Sequence, residues 1–541
     1  MTMLSPAIGQ TSPGDLPLLP EIWGHICSFL PKPSLSRLRL VSSKFNDIAL
    51  SWAYRDLRLE GFGNSAERFV EIAKSPKLRD LVRGLTVDTS VGPEFQYKGN
   101  GSYPFPVSFM DALPYLRYFG NLTALHLRFN EFCGEDDRNG LTIEETWPFR
   151  YRVLDTVCHC VAGMWTIDQQ FKIDEKVEDE LYGYEPEYPD PEDDLGIPID
   201  PVIYLKELTI ANLADYHDTD LAASVAWRKV ISLPSLTDLK LFIATEENED
   251  SDDSTAYYEE KYEFFETWLS TCISDNLRVL SLYYRDYWGW FPKMDFRGIE
   301  LPQLRVLALG HYVFSHDWQI DWFASIGQNG SGGLEELYLD DCPILFKARQ
   351  ASPLDSSDPG YPVVSTVMDN GSTKTYEYPM RWHTVLSQWA MSMKALRVFR
   401  MGHGEWDEAP RDTLESFRRD PLYEDVDDEV VSYRVSHNTH SSFACPEPVD
   451  TFYGVEDPEK AWASGKYLQG TGINGFGGCR MQYIEYDINV HPSPWRETFR
   501  SYMLEDDGYE PEEGTCARDN AAFEELTSAV KAQAIREGEG F

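Results

Sequence analysis

A three-leucine step, L-x-x-L-x-[LIVM], recurs along this chain and limits its architecture more than any other feature. It reads LTALHL from Leu122, LKELTI from Leu205, LTDLKL from Leu236 and LRVLSL from Leu277. It continues as LRVLAL from Leu304, LEELYL from Leu334 and LRVFRM from Leu396, with VRGLTV from Val82 as a weaker forerunner. Alternation at the last positions marks a half-buried strand, because successive strand side chains point to opposite faces. Between the steps lie stretches of helical period: YRVLDTVCHCVAGMW, TDLAASVAWRKVI, YEEKYEFFETWLSTCI and RWHTVLSQWAMSM. Strand and helix in this rhythm predict an α/β fold, a curved parallel sheet with helices on its convex side, each unit burying its face on the next.

The step resembles the leucine-rich repeat, whose fuller form is L-x-x-L-x-L-x-x-N/C. Two copies complete it, Leu122 with Asn130 and Leu334 with Cys342. Successive starts lie 83, 31, 41, 27, 30 and 62 residues apart, against the roughly 20–29 of regular repeats. The resemblance therefore implies an irregular solenoid with insertions, over residues 61–500. The leucines are expected to point inward and the alternate residues to line the concave face: His126, Arg128, Thr209, Lys240, Phe242, Ser281, Tyr283, Tyr338, Asp340 and Arg400. The loop YYRDYWGWFPKMDF adds Tyr287, Trp288, Trp290 and Phe291. Aromatic and arginine side chains dominate contact hot spots. Arg128, Lys240, Phe242, Tyr283, Trp288, Trp290, Tyr338 and Arg400 are thus the candidates for holding a target protein. The alternative is that these rings pack under the loop as core.

Charge narrows the partners. The 541 residues carry 48 Lys and Arg against 90 Asp and Glu, a net charge of −42. Such a chain is repelled by phosphate backbones and anionic membranes, so neither nucleic acid nor membrane is expected as a partner. Much of the acid sits in insertions at about 172–200, 245–256 and 420–430. These read as solvated loops, with a docking surface for a basic partner as the other reading. Residues 1–15 lack a basic region followed by an apolar core and read as a disordered start, not a secretory signal. No apolar run approaches the ~18 residues that cross a bilayer. Nine scattered cysteines form no framework spacing and read as free thiols. A cytoplasmic or nuclear location is expected.

The N-terminal stretch LPEIWGHICSFLPKPSLSRLRLVSSKF, Leu19 to Phe45, differs from the rest. Pro20 and Glu21 suit a first helical turn, and Ile22, Ile26, Phe29 and Leu30 fall on one helical face. Pro31 and Pro33 would stop that helix and Ser34 would cap a second, in which Leu35, Leu38 and Val41 share a face. Ser42 or Ser43 would cap a third, with Phe45, Ile48, Ala49 and Trp52 on one stripe. Trp23, Cys27, Leu40 and Leu50 lie off these faces, so the unit is apolar on more than one side. Residues 16–60 hold six basic side chains (Lys32, Arg37, Arg39, Lys44, Arg55, Arg58) and four acidic ones (Glu21, Asp47, Asp56, Glu60), locally +2. A surplus apolar face on so small a unit marks a contact surface, and its charge suits an acidic partner.

This order of residues resembles the F-box, read at Leu19, Pro20, Ile22, Ile26, Leu30, Leu35, Leu38, Leu40, Val41, Ser42 and Phe45. Trp23 stands where the family commonly has Leu, and Ser42 where it has Cys. The resemblance implies a helical domain over residues 16–60 that docks onto the small acidic Skp-type adaptor of a cullin–RING ubiquitin ligase. Leu19, Pro20, Ile22, Ile26, Leu35, Leu38, Val41 and Phe45 are then the adaptor-binding residues. The solenoid would hold an unknown target, as in the large fungal class of F-box proteins with degenerate repeats. A simple helical cap on the next domain is the alternative.

No catalytic motif emerges, and no cofactor or metal is expected. GTGING, at Gly470, Gly472 and Gly475, fits G-x-G-x-x-G but has a strand-like stretch after it where the dinucleotide fold needs a helix. His437 and His440 are supported as metal ligands by neither an H-E-x-x-H spacing nor a nearby cysteine pair and read as a surface loop. The last segment, AAFEELTSAVKAQAIREGEGF within a tail over 501–541, predicts an amphipathic helix with Phe523, Leu526, Val530 and Ala534 on one stripe. It would pack on the end of the sheet. The chain therefore reads as a non-catalytic substrate receptor. A repeat scaffold outside any ligase, and a hydrolase with an unrecognised site, are its rivals.

Overall fold

The computed structural model describes residues 18–30, 32–61, 63–89, 107–129, 133–134, 145–177, 202–215, 217–244, 264, 267–269, 273, 275–351, 367–369, 373–402, 481–487, 495–497 and 511–536. Three short helices open the described chain: α1 (Pro20–Cys27), α2 (Lys32–Arg39) and α3 (Ser43–Ala53). Sixteen strands follow. They are β1 (Asp56–Glu60), β2 (Gly84–Asp88), β3 (Ala124–Arg128), β4 (Cys133–Gly134), β5 (Glu145–Thr146), β6 (Glu207–Ala214), β7 (Asp238–Ala244) and β8 (Val279–Trp288). The rest are β9 (Val306–Tyr312), β10 (Glu336–Asp340), β11 (Ile344–Ala351), β12 (Val367–Asp369), β13 (Thr373–Glu377), β14 (Val398–Gly402), β15 (Tyr483–Asp487) and β16 (Trp495–Glu497).

Nine of these form one sheet in chain order, β1-β2-β3-β6-β7-β8-β9-β10-β14, with every neighbouring pair parallel. The three-leucine step sets the register. Leu85, Leu125, Leu208, Leu239, Leu280, Leu307, Leu337 and Phe399 stand side by side across the strands. Two residues on, Val87, Leu127, Ile210, Leu241, Leu282, Leu309, Leu339 and Met401 make a second row. A one-residue slip would turn both rows to the other face, so burial of one face fixes the pairing.

Helices cover that face. Trp147–Val161, Val225–Ile231, Asp317–Ser325 and Trp382–Ser392 place Phe149, Val153, Trp227, Phe323, Trp382 and Trp389 in one continuous core with the leucine rows. Fully burying one such leucine contributes about 1.5–3 kcal/mol, which is why the step outweighs local propensity. Three of the four helical stretches expected from periodicity are helices. TDLAASVAWRKVI breaks into Thr219–Ala223 and Val225–Ile231, because Ser224 leaves the helical conformation and its side chain caps the second. Only parts of the fourth stretch, from Phe264 on, are among the described residues.

A second sheet, β12-β13-β11-β15-β16, mixes parallel and antiparallel pairs. It has its own aromatic core of Trp290, Phe291, Tyr376, Tyr378 and Tyr486. This sheet lies within residues 61–500, where the repeat pattern implies a single solenoid, and is separate from the large one. The C-terminal helix, Thr515–Arg536, buries Ala522, Leu526, Val530 and Ala534 and packs on Trp382–Ser392 and β14. Asp519 ties it down, accepting from the backbone N–H of His383 (2.8 Å) and from the Tyr483 hydroxyl (2.6 Å).

Two expected boundaries move. The helical unit ends at Ala53, and residues 56–60, expected within it, are the first strand of the large sheet. α2 begins at Lys32, with Pro33 in its first turn and Ser34 inside, not at the cap. Proline is tolerated there because a first-turn N–H has no intrahelical acceptor. Asn130, His437, His440, the 470–475 glycines and nearly all of the acidic insertions lie outside the described residues.

Candidate docking surface of the N-terminal helices

α1 starts with Pro20 at its first position and Glu21 in its first turn. α3 is capped by Ser42, whose hydroxyl accepts from the Phe45 N–H at 3.3 Å. The three helices close on a small core: Cys27, Leu35 and Ala49 are buried, with Leu30, Leu38, Ile48, Trp52 and Ala53 packed against them. Trp23 meets Phe45 edge-on, ring centroids 4.8 Å apart, bracing α1 against α3.

What this core leaves outside is more telling. Leu19 is 66 % exposed, Phe29 74 %, Leu40 87 % and Val41 67 %, with Leu18 and Ile22 also exposed. Six of the twelve large apolar side chains exposed among the described residues thus lie between Leu18 and Val41. Concentration of this kind marks an interaction surface, whereas singly scattered apolar residues do not. Leu19 and Ile22, three residues apart, share a helical face.

The expected adaptor-binding residues separate into groups. Leu19, Pro20, Ile22 and Val41 are exposed; Ile26, Leu38 and Phe45 are half-buried. Leu35 is buried at the centre of the helical core, so it holds α2 in place and has no free surface to offer. Phe29, expected on the inward stripe, is exposed, while Cys27, expected off it, is buried. α1 is too short to bury a wide stripe, and periodicity alone does not say which narrow face is covered. Leu18 and Phe29 join this exposed set although the F-box pattern does not mark them. The available signal was their position flanking a short helix bounded by prolines.

The sheet residues expected to hold a target are placed differently. Lys240, Phe242, Tyr283, Trp288, Trp290, Tyr338 and Arg128 are all buried, and only Arg400 is exposed. They are internally engaged. Arg128 faces Asp88 at 3.5 Å, and Asp88 also takes Arg58. Lys240 pairs with Glu207. Phe242 packs on Tyr283, and the Tyr338 hydroxyl donates to Glu336 at 2.8 Å. Trp288 donates to the Gly310 carbonyl at 2.7 Å, and Trp290 to the Tyr378 hydroxyl at 2.9 Å. The reading of these rings as an open contact surface is therefore corrected: Trp288 and Trp290 fill the two hydrophobic cores.

One cluster bears on the hydrolase alternative. Asp155 lies between His159 and Ser224, on the helix Trp147–Val161 and before Val225–Ile231. The Ser224 hydroxyl donates to Asp155 at 2.6 Å, and His159 Nδ1 lies 2.8 Å from the Asp155 carbonyl. Burial alone would raise the Asp155 pKa, but hydrogen bonds from His159 and Ser224 hold it below the usual carboxylate range. A nucleophilic serine needs the imidazole as its base. Here the serine is bonded to the carboxylate and caps a helix, so the cluster is structural. No group of three metal-ligating side chains occurs among the described residues, and none of their helices is long and apolar enough to cross a membrane.

No curated protein matches the chain. Residues 16–53 match the F-box domain, and these are the residues of the three helices and their exposed apolar side chains. F-box domains generally bind Skp1-type adaptors, and F-box proteins are generally non-catalytic ligase subunits. An F-box domain at residues 16–53 supports an F-box protein.

Proposed function

We propose that this chain is the substrate-recognition subunit of a Skp–cullin–F-box ubiquitin ligase. The observation that carries the reading is the set of exposed apolar side chains, Leu19, Ile22, Phe29, Leu40 and Val41, on an F-box domain whose own core is complete without them. An adaptor covering them would remove from water the apolar area that the small helical unit leaves exposed. Arg37 and Lys44, exposed and three residues in sequence from Leu40 and Val41 respectively, suit an acidic adaptor.

In this reading the sheet is a degenerate leucine-rich repeat of the fungal F-box kind. Its support is the strict chain order of nine parallel strands and two side-chain bonds between neighbouring strands. Asn212, after Ile210, donates to the Phe129 carbonyl at 2.7 Å, and Cys342, after Leu339, donates through Sγ to the Leu309 carbonyl at 3.4 Å. Each links one strand to its neighbour; Cys342 stands at the N/C position of the repeat, eight residues after Leu334, and Asn212 one residue short of it, seven after Leu205. The sheet side would bind the target protein.

Mechanistically the chain supplies proximity: a bound target is held near an enzyme carried by other subunits. That requires a stiff link. Only Tyr54 and Arg55 separate α3 from β1, Arg39 stacks on Tyr54 and Arg55 on Trp52, and the Arg55 carbonyl accepts from the Arg83 and Gly84 N–H groups. The test is capture of a Skp-type adaptor by the full chain beside its Leu19→Asp/Val41→Asp variant. Capture that the variant loses supports the reading. Absence of capture by the native chain sinks it, and leaves a repeat scaffold whose N-terminal helices are a cap.

A further inference from the structure

The second position of the three-leucine step forms a row of its own, along the end of the sheet where the strands begin. Lys206, Thr237, Arg278, Arg305, Glu335 and Arg397 each immediately precede β6, β7, β8, β9, β10 and β14. Their backbones are bonded in sequence: Thr237 N–H donates to Lys206 (2.9 Å), Arg278 to Thr237 (2.7 Å), Arg305 to Arg278 (2.9 Å), Glu335 to Arg305 (2.8 Å) and Arg397 to Glu335 (2.8 Å). The row is therefore fixed at the strand spacing of about 4.8 Å. The ladder continues through Thr123 and Arg83, and of the six members from β6 to β14 four are basic and one is acidic, +4 − 1 = +3 in a chain of net charge −42.

Nothing in the fold demands that charge. Sheet dipoles are too small to call for basic residues at one end. Lys206, Arg278 and Arg305 are exposed, and among the described residues neither Lys206 nor Arg278 is in an ion pair. Glu335 is shared, Arg305 Nη1 lying 3.3 Å from it and Arg397 also bound to it. Two carboxylates of the next row are engaged elsewhere, Glu207 with Lys240 and Glu336 with Tyr338, while Asp238 accepts from Thr237 and attracts Arg278 without forming an ion pair with it. Arg278 and Arg305 stand on adjacent strands, where like charges face each other and destabilise the pair. That repulsion is relieved when an anion lies across both.

We infer that this basic row is a docking edge for an acidic, extended segment of a partner protein. An extended peptide laid along the row crosses the strand ends, and its carboxylates meet cations whose long side chains absorb the difference in spacing. The inference stands independently of what the F-box domain binds.

The test is fluorescence anisotropy of the full-length chain with a labelled Glu-rich peptide and its Gln-substituted counterpart, at low and physiological salt. Binding of the Glu peptide alone, weakening with salt, is expected. Arg278→Gln/Arg305→Gln should weaken it about tenfold, and Lys206→Gln by less. Glutamine at these exposed positions leaves the cores untouched, and an unchanged thermal midpoint certifies the fold. No binding by the native chain, equal binding of the Gln peptide, or binding indifferent to the double substitution overturns the inference.

Discussion

The N-terminal helices and the parallel sheet distribute their side chains in opposite ways. The helices leave Leu19, Phe29, Leu40 and Val41 in water around a core of three small or medium residues. The sheet buries Arg128 and Lys240 and pairs each with a carboxylate on a neighbouring strand, Asp88 and Glu207. An exposed apolar group remains favourable to cover and so waits for another molecule. A buried charge must be satisfied within the fold, because desolvation without a partner costs several kcal/mol. The contrast separates a surface built for docking from one built to be held together, and substitutions can break it at either end.

The largest effect is expected in the leucine rows. Leu337→Ala, at a fully buried site between β9 and β14, should destabilise the chain by about 2–5 kcal/mol. Denaturant unfolding measures it; a loss below 1 kcal/mol would mean the rows are loosely packed and the sheet is not what the step specifies.

Next comes the half-buried imidazole of His311, near the end of β9. His311 Nδ1 donates to the Tyr284 carbonyl (2.8 Å), Nε2 faces Asp341 at 3.3 Å, and the Tyr283 and Tyr287 rings and Asp340 surround the imidazole. Burial would lower its pKa, but Asp341, with Asp340, raises it from 6.5 to about 9. Protonated His311 is thus favoured by the folded state. Its stabilisation is complete below pH 6.5 and is lost as pH rises towards 9, at most about 3 kcal/mol. Thermal midpoints should fall across that window, and Asp341→Asn should flatten the fall. An unchanged slope in the variant would remove Asp341 from the cause.

Asn212 tests a bond between neighbouring strands on a smaller scale. It combines a left-handed backbone (φ 56°) with the bond to Phe129 O. Asn212→Ala loses both the bond and the tolerated conformation, and should cost about 1–3 kcal/mol. Asn212→Gly relieves the backbone and should cost less. If both variants cost the same, the side-chain bond alone carries the site.

How far the sequence spoke for itself follows from range. Leu205-Lys-Glu-Leu208-Thr-Ile210 declares a strand and its buried side within six residues, and the helices between strands are legible by the same local logic. The pairing of Ile344–Ala351 with Tyr483–Asp487 is not, because no local pattern announces a partner more than a hundred residues away. Alternation also says that Lys240 and Phe242 share a face, without saying whether that face meets water. For α1 it named a stripe through Ile22, Ile26 and Phe29, yet the side turned to α3 is the one with Cys27. The F-box positions were legible as a pattern of residue types; which of them are free to dock required the packing.

The smallest stability effect is therefore the sharpest test of the comparison. Leu40→Ser/Val41→Ser removes two large apolar side chains, which in the leucine rows would cost several kcal/mol. At these exposed positions the change should stay within about 0.5 kcal/mol, while capture of a Skp-type adaptor falls markedly. Equal stability with lost capture places the value of these side chains in a complex and not in the fold. A loss of stability comparable to Leu337→Ala would place them in the folded core instead, and the distinction between the two regions would fail.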